Sequence, residues 1–253
     1  MTTGKLYGKK IWLVGASEGI GRSLAIQLAK EGALLALSAR QADKLQQVAN
    51  ELSGSDHKIA QLDVQDAESV AKAYQSVCEL WGAPDIVIYN AGTYEPMYAQ
   101  TFDVPRIQKM MDVNFTGAVR VLNHVLPDFI GANKGHIALV GSIAAYRGLP
   151  GAIGYGASKA ALLHLAENLA IDLQQTNIKI QLISPGFVKT QLTAKNNFKM
   201  PQLMEPADAA ARIVRGLKSE KFEIVFPWLF STILKIMSIL PAKLYFRLMR
   251  EKS

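Results

Sequence analysis

The 253-residue chain predicts an α/β fold built on a doubly wound, mainly parallel sheet of seven strands. Three observations carry that expectation. Short apolar runs alternate with longer segments of helical spacing, the runs are apolar throughout rather than every second residue, and no internal repeat, low-complexity stretch or linker divides them. With right-handed crossovers, helices cover both faces and ligands collect at the carboxyl ends of the strands.

In chain order, strands are expected at Ile11–Val14, Ala33–Ser38, Lys58–Leu62, Ile86–Tyr89, His136–Gly141, Lys179–Ile183 and Glu223–Phe226. Between them Ile20–Lys30, Asp43–Leu52, Ala67–Leu80, Val113–Phe129 and Ala157–Gln174 have the 3.6-residue period of helices packed on one side. Residues 1–226 form one expected domain, and 227–253 form a helical, amphipathic tail that is not a domain of its own.

A hydrophobic fraction of 49% and a charged fraction of 19% are ordinary for a chain with a sizeable core. The net charge is +7, but Lys221 to Ser253 holds six basic and two acidic residues and so carries +4 of it. No basic stripe or recognition module accompanies the excess, which argues against nucleic acid. Cys78 is the one cysteine, so no internal disulfide forms, and its apolar helical setting (V-C-E-L-W) suits an inert buried thiol. His57, His124, His136 and His164 lack metal-ligand spacing, so no metal is expected. The polar N-terminus has no signal-peptide core, which makes a reducing cytoplasm the expected location.

The first strand runs into Gly15-Ala-Ser17-Glu18-Gly19-Ile20-Gly21, which opens the first helix. Glycines let the backbone turn tightly and approach a pyrophosphate, which a helix N-terminus then holds. The second strand ends at Arg40. An arginine there accepts a 2′-phosphate and favours NADP(H) over NAD(H), although it also fits an exposed surface residue, and Glu18 in the first turn does not help a second phosphate. Asp63 and Val64 end the third strand; the carboxylate either reaches an adenine amino group or caps a helix. Asn90, Ala91 and Gly92 end the fourth, as a plain turn or as a place for backbone to pass close to a cofactor. Tyr155 and Lys159 stand four apart in Y-G-A-S-K, on one helix face, where an ammonium beside a phenol eases loss of its proton. Taken singly, Ser142 is also a turn residue, Tyr155 a core residue and Lys159 a solvated one.

From about residue 8 to residue 226 the chain resembles the short-chain dehydrogenase/reductases, whose fold is the doubly wound Rossmann domain. The residues that carry the resemblance are G-A-S-E-G-I-G from Gly15, N-A-G from Asn90, Asn114, Ser142, Y-G-A-S-K from Tyr155 and P-G-F-V-K-T from Pro185. Val14 stands where the family has threonine and Tyr89 where it has asparagine, and both are expected to loosen hydrogen bonding in their turns. The resemblance implies that Tyr155 is a general acid/base, Lys159 a ribose ligand that lowers the tyrosine pKa, Ser142 a donor to the substrate oxygen and Asn114 the holder of a water linked to Lys159. It implies that Pro185, Gly186, Val188 and Thr190 pass beneath a nicotinamide, and that the protein interconverts a ketone or aldehyde with an alcohol as a homodimer or homotetramer. A rival reading is a catalytically silent dinucleotide sensor or scaffold, which would often lack one of the four catalytic groups; all four are here.

Residues 187–206 are expected to cover the substrate. Phe187, Leu192, Phe198, Met200, Leu203 and Met204 are able to face inward, with Tyr94, Tyr98 and Tyr146 as walls, which suits an apolar or lipid-like substrate. In the tail, Leu229, Ile233, Ile236 and Leu240 share a stripe opposite Ser231, Lys235 and Ser238, and Leu244, Tyr245, Leu248 and Met249 oppose Lys243, Arg247 and Arg250. The run is too short, and too interrupted by Lys235 and Pro241, to span a bilayer. Its apolar side packs on the domain or a second subunit, or lies on a membrane surface.

Overall fold

Strand β1 (Lys10–Val14) sets the architecture through its alternation: Ile11 and Leu13 enter one apolar core, and Trp12 and Val14 enter another on the opposite face. The computed structural model describes residues 4–198 and 200–250, with Leu80 by its backbone alone. Residues 1–3, Lys199 and residues 251–253 lie outside the described residues, and with them the tail charges Glu251 and Lys252.

After β1 come α1 (Gly19–Lys30), β2 (Leu34–Ser38), α2 (Ala42–Asn50), β3 (Lys58–Ile59), α3 (Ala67–Trp81) and β4 (Ile86–Tyr89). The second half holds α4 (Val104–Met111), α5 (Gly117–Gly131), β5 (Gly135–Val140), α6 (Ile153–Asp172), β6 (Ile178–Pro185), α7 (Pro206–Leu217) and β7 (Glu223–Phe226). All pairings are parallel, in the order β3-β2-β1-β4-β5-β6-β7. Helices α1, α2 and α7 cover one face, with Leu24, Leu28, Leu45 and Ile213 at its core; α3, α5 and α6 cover the other, around Val77, Val121 and Leu162. Between β1 and β4 the strand order reverses, which opens a crevice at their carboxyl ends.

All seven expected strands are present, with β3 shorter than expected. Its ladder gives way after Ile59, although Ala60 and Leu62 still donate to Leu37 and Ala39 carbonyls at 3.0 and 3.1 Å. Helix α6 starts at Ile153, four residues before the expected Ala157, so Tyr155 and Lys159 sit one turn apart on it. The expected helix from Val113 begins instead as a wide turn, residues 112–116, joining α4 to α5. Helices α4 and α7 were not expected. Helix α7 has a clear apolar stripe, Ala209, Ala210, Ile213, Val214 and Leu217, with Pro206 at its first position.

Beyond β7 lie α8 (Trp228–Ser238) and α9 (Ala242–Leu248). Of the two facings left open for the apolar stripe of α8, the outward one is found: Ser231 and Leu234 are buried, while Leu229, Ile233 and Ile236 are exposed; in α9 Tyr245 packs inward and Leu244 and Leu248 are exposed. Ser231 tolerates burial because its hydroxyl donates to the Pro227 carbonyl at 2.7 Å. No described helix is long and apolar enough to cross a membrane.

Two buried polar contacts lock strands together. The Trp12 indole donates to Ser38 Oγ at 2.9 Å, and Ser38 donates on to the Ala60 carbonyl. His136 on β5 lies 2.9 Å from Gln181 Oε1 on β6; the Gln181 amide nitrogen is committed to the carbonyls of Gly216, Ser219 and Lys221, so its oxygen accepts from the imidazole. Burial brings the His136 pKa down from 6.5 to about 4. Between those values only the unfolded chain takes up the proton, so stability is full above the upper value and declines as pH falls toward the lower one. His136→Gln should remove about 2 kcal/mol of the stability lost between about pH 7 and 5, as read by denaturant melts at the two values.

Candidate active site

The turn after β1 depends on backbone that only glycine allows. Gly15 has φ +90°, and a Cβ there would lie 2.5 Å from the Ala91 amide nitrogen. A Cβ on Gly21 would lie 1.9 Å from the Gly15 carbonyl oxygen, which itself accepts from the Asn90 side-chain amide at 2.7 Å. The ends of β1 and β4 are thereby stapled. Helix α1 starts at Gly19 without a side-chain cap and with no acid in its first turn, so no side chain claims its leading N–H groups, and Gly19 and Ile20 line the crevice.

The crevice has a volume of about 530 Å³. Its walls include Gly15, Ser17, Glu18, Gly19 and Ile20 from the first turn, and Arg40, Asp63 and Val64 from the second and third strand ends. They continue through Asn90, Ala91 and Gly92, then Tyr155 and Lys159, and close with Pro185, Gly186, Val188 and Thr190. Every residue expected at a cofactor is thus on this wall except Gly21, which supports the turn from behind. Asp63 is not the helix cap: Asp66 caps α3, and Asp63 accepts from the Gln65 N–H at 3.0 Å.

Sequence reasoning missed Lys44, on α2. Its ammonium pairs with the Glu18 carboxylate across the mouth of the crevice. The acid that spoke against a second phosphate is therefore neutralised, and Arg40, exposed beside it, has no ion pair among the described residues. The pair joins residues 26 apart in the chain, so no local pattern announces it.

Asn114 does not line the crevice. It is fully buried in the wide turn before α5, where Oδ1 accepts from the Thr93 N–H at 2.7 Å and Nδ2 donates to the Thr93 carbonyl at 3.0 Å and to Ser158 Oγ at 2.8 Å. It thus ties the loop after β4 to the helix that carries Tyr155 and Lys159. Tyr89 was expected to loosen this region and does the reverse: its hydroxyl donates to the Val113 carbonyl at 2.6 Å, inside the wide turn.

Ser142, at the end of β5, is buried, and its hydroxyl accepts from the Ala144 N–H at 3.1 Å. Tyr155 lies deep in the crevice beside it. Burial pushes the phenol above its ordinary value, and the hydrogen bond with Ser142 pulls it part of the way back. Lys159 Nζ donates to the Val140 carbonyl at 2.8 Å and lies over the Tyr155 ring, 5.8 Å from its centre. Burial brings Lys159 itself down to about 8.

The expected cover, residues 187–206, is a loop closed at its neck: the Lys189 N–H donates to the Met204 carbonyl and the Met204 N–H to the Phe187 carbonyl, at 2.9 and 3.0 Å. Tyr94 lies edge-on to Tyr155 at 5.0 Å and holds the cover through a 2.8 Å bond to Asn196 Oδ1. Leu192 lines the crevice, whereas Phe187 packs on Phe198 and on Phe230 of the tail. Tyr146 is no wall, because its hydroxyl bonds Glu223 beneath α8.

Residues 9–201 match the family model for short chain dehydrogenase. An uncharacterised oxidoreductase of Myxococcus xanthus (strain DK1622) is 35% identical over 92% of this chain and 93% of its own length. One from Staphylococcus aureus (strain USA300) is 32% identical over 85% of this chain and 94% of its own. Among solved structures, an alcohol dehydrogenase of the archaeon Thermococcus sibiricus, complexed with 5-hydroxy-NADP, superposes with a TM-score of 0.79 at 28% identity, covering 86% of this chain and 95% of that one. A short-chain dehydrogenase of Streptomyces avermitilis, at 23% identity and TM-score 0.81 over 90% of this chain and 92% of its own, shares the fold. The chain belongs to the short-chain dehydrogenase family. It is an oxidoreductase of that family, whose members bind a nicotinamide dinucleotide and act on small molecules. The uncapped start of α1 and the missing Cβ atoms at Gly15 and Gly19 fit such a group: a Cβ on Gly19 would lie 2.9 Å from the Thr190 methyl.

The contact between Tyr89 and Gly117 gives a test of how the Asn114 turn is held. A Cβ at Gly117 would lie 2.4 Å from the Tyr89 hydroxyl and 2.8 Å from Val64 Cβ. Gly117→Ala should cost about 1–3 kcal/mol. In a denaturant double-mutant cycle, Tyr89→Phe should cost less beside that alanine than in the parent chain.

Proposed function

We propose that this oxidoreductase interconverts a ketone or aldehyde with an alcohol, prefers NADP(H), and takes an apolar or lipid-like substrate. The observation that carries the proposal is the convergence of two hydroxyl groups, Ser142 and Tyr155, at the floor of a crevice walled by the glycine turn, with a buried amine one helical turn behind. A bound dinucleotide supplies the hydride.

Ser142 holds the substrate oxygen by donating a hydrogen bond, which polarises a carbonyl. Tyr155 Oη gives that oxygen its proton as negative charge develops there. A phenol whose pKa lies above its ordinary value keeps its proton at neutral pH and has it to give. Lys159 stands ready to refill that proton and to hold a ribose hydroxyl; with a pKa near 8 it exchanges protons close to neutrality. Asn114 acts by position, since it fixes the loop after β4 against α6 and keeps Tyr155 and Lys159 aimed into the crevice. Pro185, Gly186, Val188 and Thr190 form the wall on which the nicotinamide end rests.

The NADP(H) preference is supported by Arg40, exposed and without an ion pair among the described residues, and by Lys44, which cancels the Glu18 charge. An apolar substrate is supported by Leu192 and the edge of Tyr94 beside Tyr155.

Two measurements test the proposal. Tyr155→Phe should abolish NADPH-dependent reduction across a panel of carbonyl compounds graded by chain length while leaving NADPH affinity nearly unchanged; undiminished turnover would falsify the role of Tyr155. Arg40→Ala should weaken NADPH binding by about tenfold or more and leave NADH binding nearly constant, because it removes a charge-assisted contact to the 2′-phosphate. An equal loss for both cofactors would remove the case for preference.

A further inference from the structure

The two tail helices bury one side and leave the other unpartnered. The inner side is fastened firmly. Arg147, five residues beyond Ser142, donates to the carbonyls of Met237, Ser238 and Leu240 at 3.1, 2.9 and 2.7 Å, which closes the C-terminal end of α8. Its guanidinium also stacks on the Tyr245 ring, 4.1 Å from the centre, and the Tyr245 hydroxyl donates to the Gly148 carbonyl at 2.7 Å. Phe230 stacks on Phe187 at the neck of the substrate cover. The tail is held in one pose against the loops beside the candidate active site.

Its outer side is apolar. At about 100° per residue, Trp228, Leu229, Thr232, Ile233, Ile236 and Ile239 share one face of α8. Trp228 is 68% exposed, Ile236 58% and Ile239 82%. Thr232, the polar member, turns its hydroxyl onto the Trp228 carbonyl at 2.7 Å, which leaves the indole N–H of Trp228 as the polar group that face offers, a donor suited to a headgroup boundary. Leu244, Phe246 and Leu248 extend the exposed apolar surface along α9. From Pro227 to Arg250 there is no acidic residue, and Lys243, Arg247 and Arg250 have no ion pair among the described residues.

A second copy of the chain is a poor occupant of this surface. An isologous contact would bring two copies of this acid-free, basic surface together, with no carboxylate on either side to pair the cations. A bilayer with anionic headgroups satisfies both chemistries at once, taking the apolar side chains at the acyl boundary and the cations at the phosphates. Two short helices bent at Pro241 are suited to lie in the interface rather than to cross it.

We propose that the outer face of α8 and α9 docks the protein on the surface of an anionic lipid bilayer. Phe187, which stacks on Phe230 of α8, then links the docked tail to the neck of the substrate cover. The docking does not depend on the substrate proposed above, and its test does not use turnover.

The test mixes the full chain with vesicles of phosphatidylcholine, with and without one-third phosphatidylglycerol, and follows co-sedimentation and fluorescence. Binding is expected for the anionic vesicles alone, with weakening as salt rises. The emission of Trp228 should shift to the blue and be quenched by brominated lipid, and Trp228→Phe should remove that response. The double variant Ile236→Glu, Ile239→Glu and the double variant Lys243→Glu, Arg247→Glu should each lower the vesicle partition coefficient by about tenfold or more. NADPH binding, unchanged in both, checks that they fold. Ile171→Glu, an exposed apolar site on α6, should have no effect on partition. The proposal is overturned by an absence of anionic-vesicle binding, by binding indifferent to lipid charge, or by binding that survives both double variants. It is also overturned if Ile236→Glu, Ile239→Glu changes the oligomeric state in sedimentation while vesicle binding stays the same, since the face would then be a subunit contact.

Discussion

The hydrogen bond from the Asn90 amide to the Gly15 carbonyl is the constraint from which the site is built. It joins the ends of β1 and β4 at the point where successive crossovers leave the sheet in opposite directions, so the backbone there has no neighbouring strand end to shield it. The chain fills the gap with a turn so close that Gly15 would meet Ala91 and Gly21 would meet the Gly15 carbonyl if either carried a side chain. Those omissions leave the uncapped first turn of α1 on the wall of the crevice. A larger residue at either glycine would not merely crowd the ligand; it would push apart two strands whose pairing holds both apolar cores in register.

A second layer of polar contacts carries that order to Tyr155 and Lys159. Asn114 satisfies all three of its bonds inside the protein, two to the Thr93 backbone and one to Ser158, one residue before Lys159 on α6. The loop after β4 and the first turns of α6 therefore move as one. The wide turn that delivers Asn114 is possible because the Tyr89 hydroxyl satisfies the Val113 carbonyl. Within this frame burial dominates the electrostatics. It raises the phenol of Tyr155 and lowers the amine of Lys159, moving both toward their uncharged forms. That suits the proton donor proposed for Tyr155, and it is not the electrostatics of a preformed ion pair.

The sheet and the crevice were legible in the sequence because their signals are local. Seven apolar runs bounded by polar and glycine residues gave the strands, and the glycine turn, Arg40, the N-A-G segment and Tyr155 with Lys159 sit at strand ends or one helical turn apart. The misses have physical reasons. The stripe of α7 is as clear as that of α1, but the helix follows an irregular cover directly and starts at Pro206 without a side-chain cap to mark where the cover ends. The Lys44–Glu18 pair and the Arg147 cap join residues far apart in the chain, and such contacts leave no periodic trace. Tyr89 departs from the family pattern, and from sequence that departure meant a lost bond; only the folded chain shows the hydroxyl in a new one.

In the tail, periodicity identified the apolar residues that share a face and left open what that face meets. A helical moment reports that apolar residues share a face; it does not say what covers the face. In α8 the covered side is decided by Arg147, Phe187 and Glu223, which take hold of the chain through backbone carbonyls, Phe230 and Lys235 and leave the more apolar stripe outward. That outcome opposes the ordinary gradient, because swapping the two faces would bury isoleucines in place of Ser231. A fold gains nothing by presenting Ile239 to water while burying a serine, so the exposure of that stripe is better explained by what lies outside the molecule than by the packing within it.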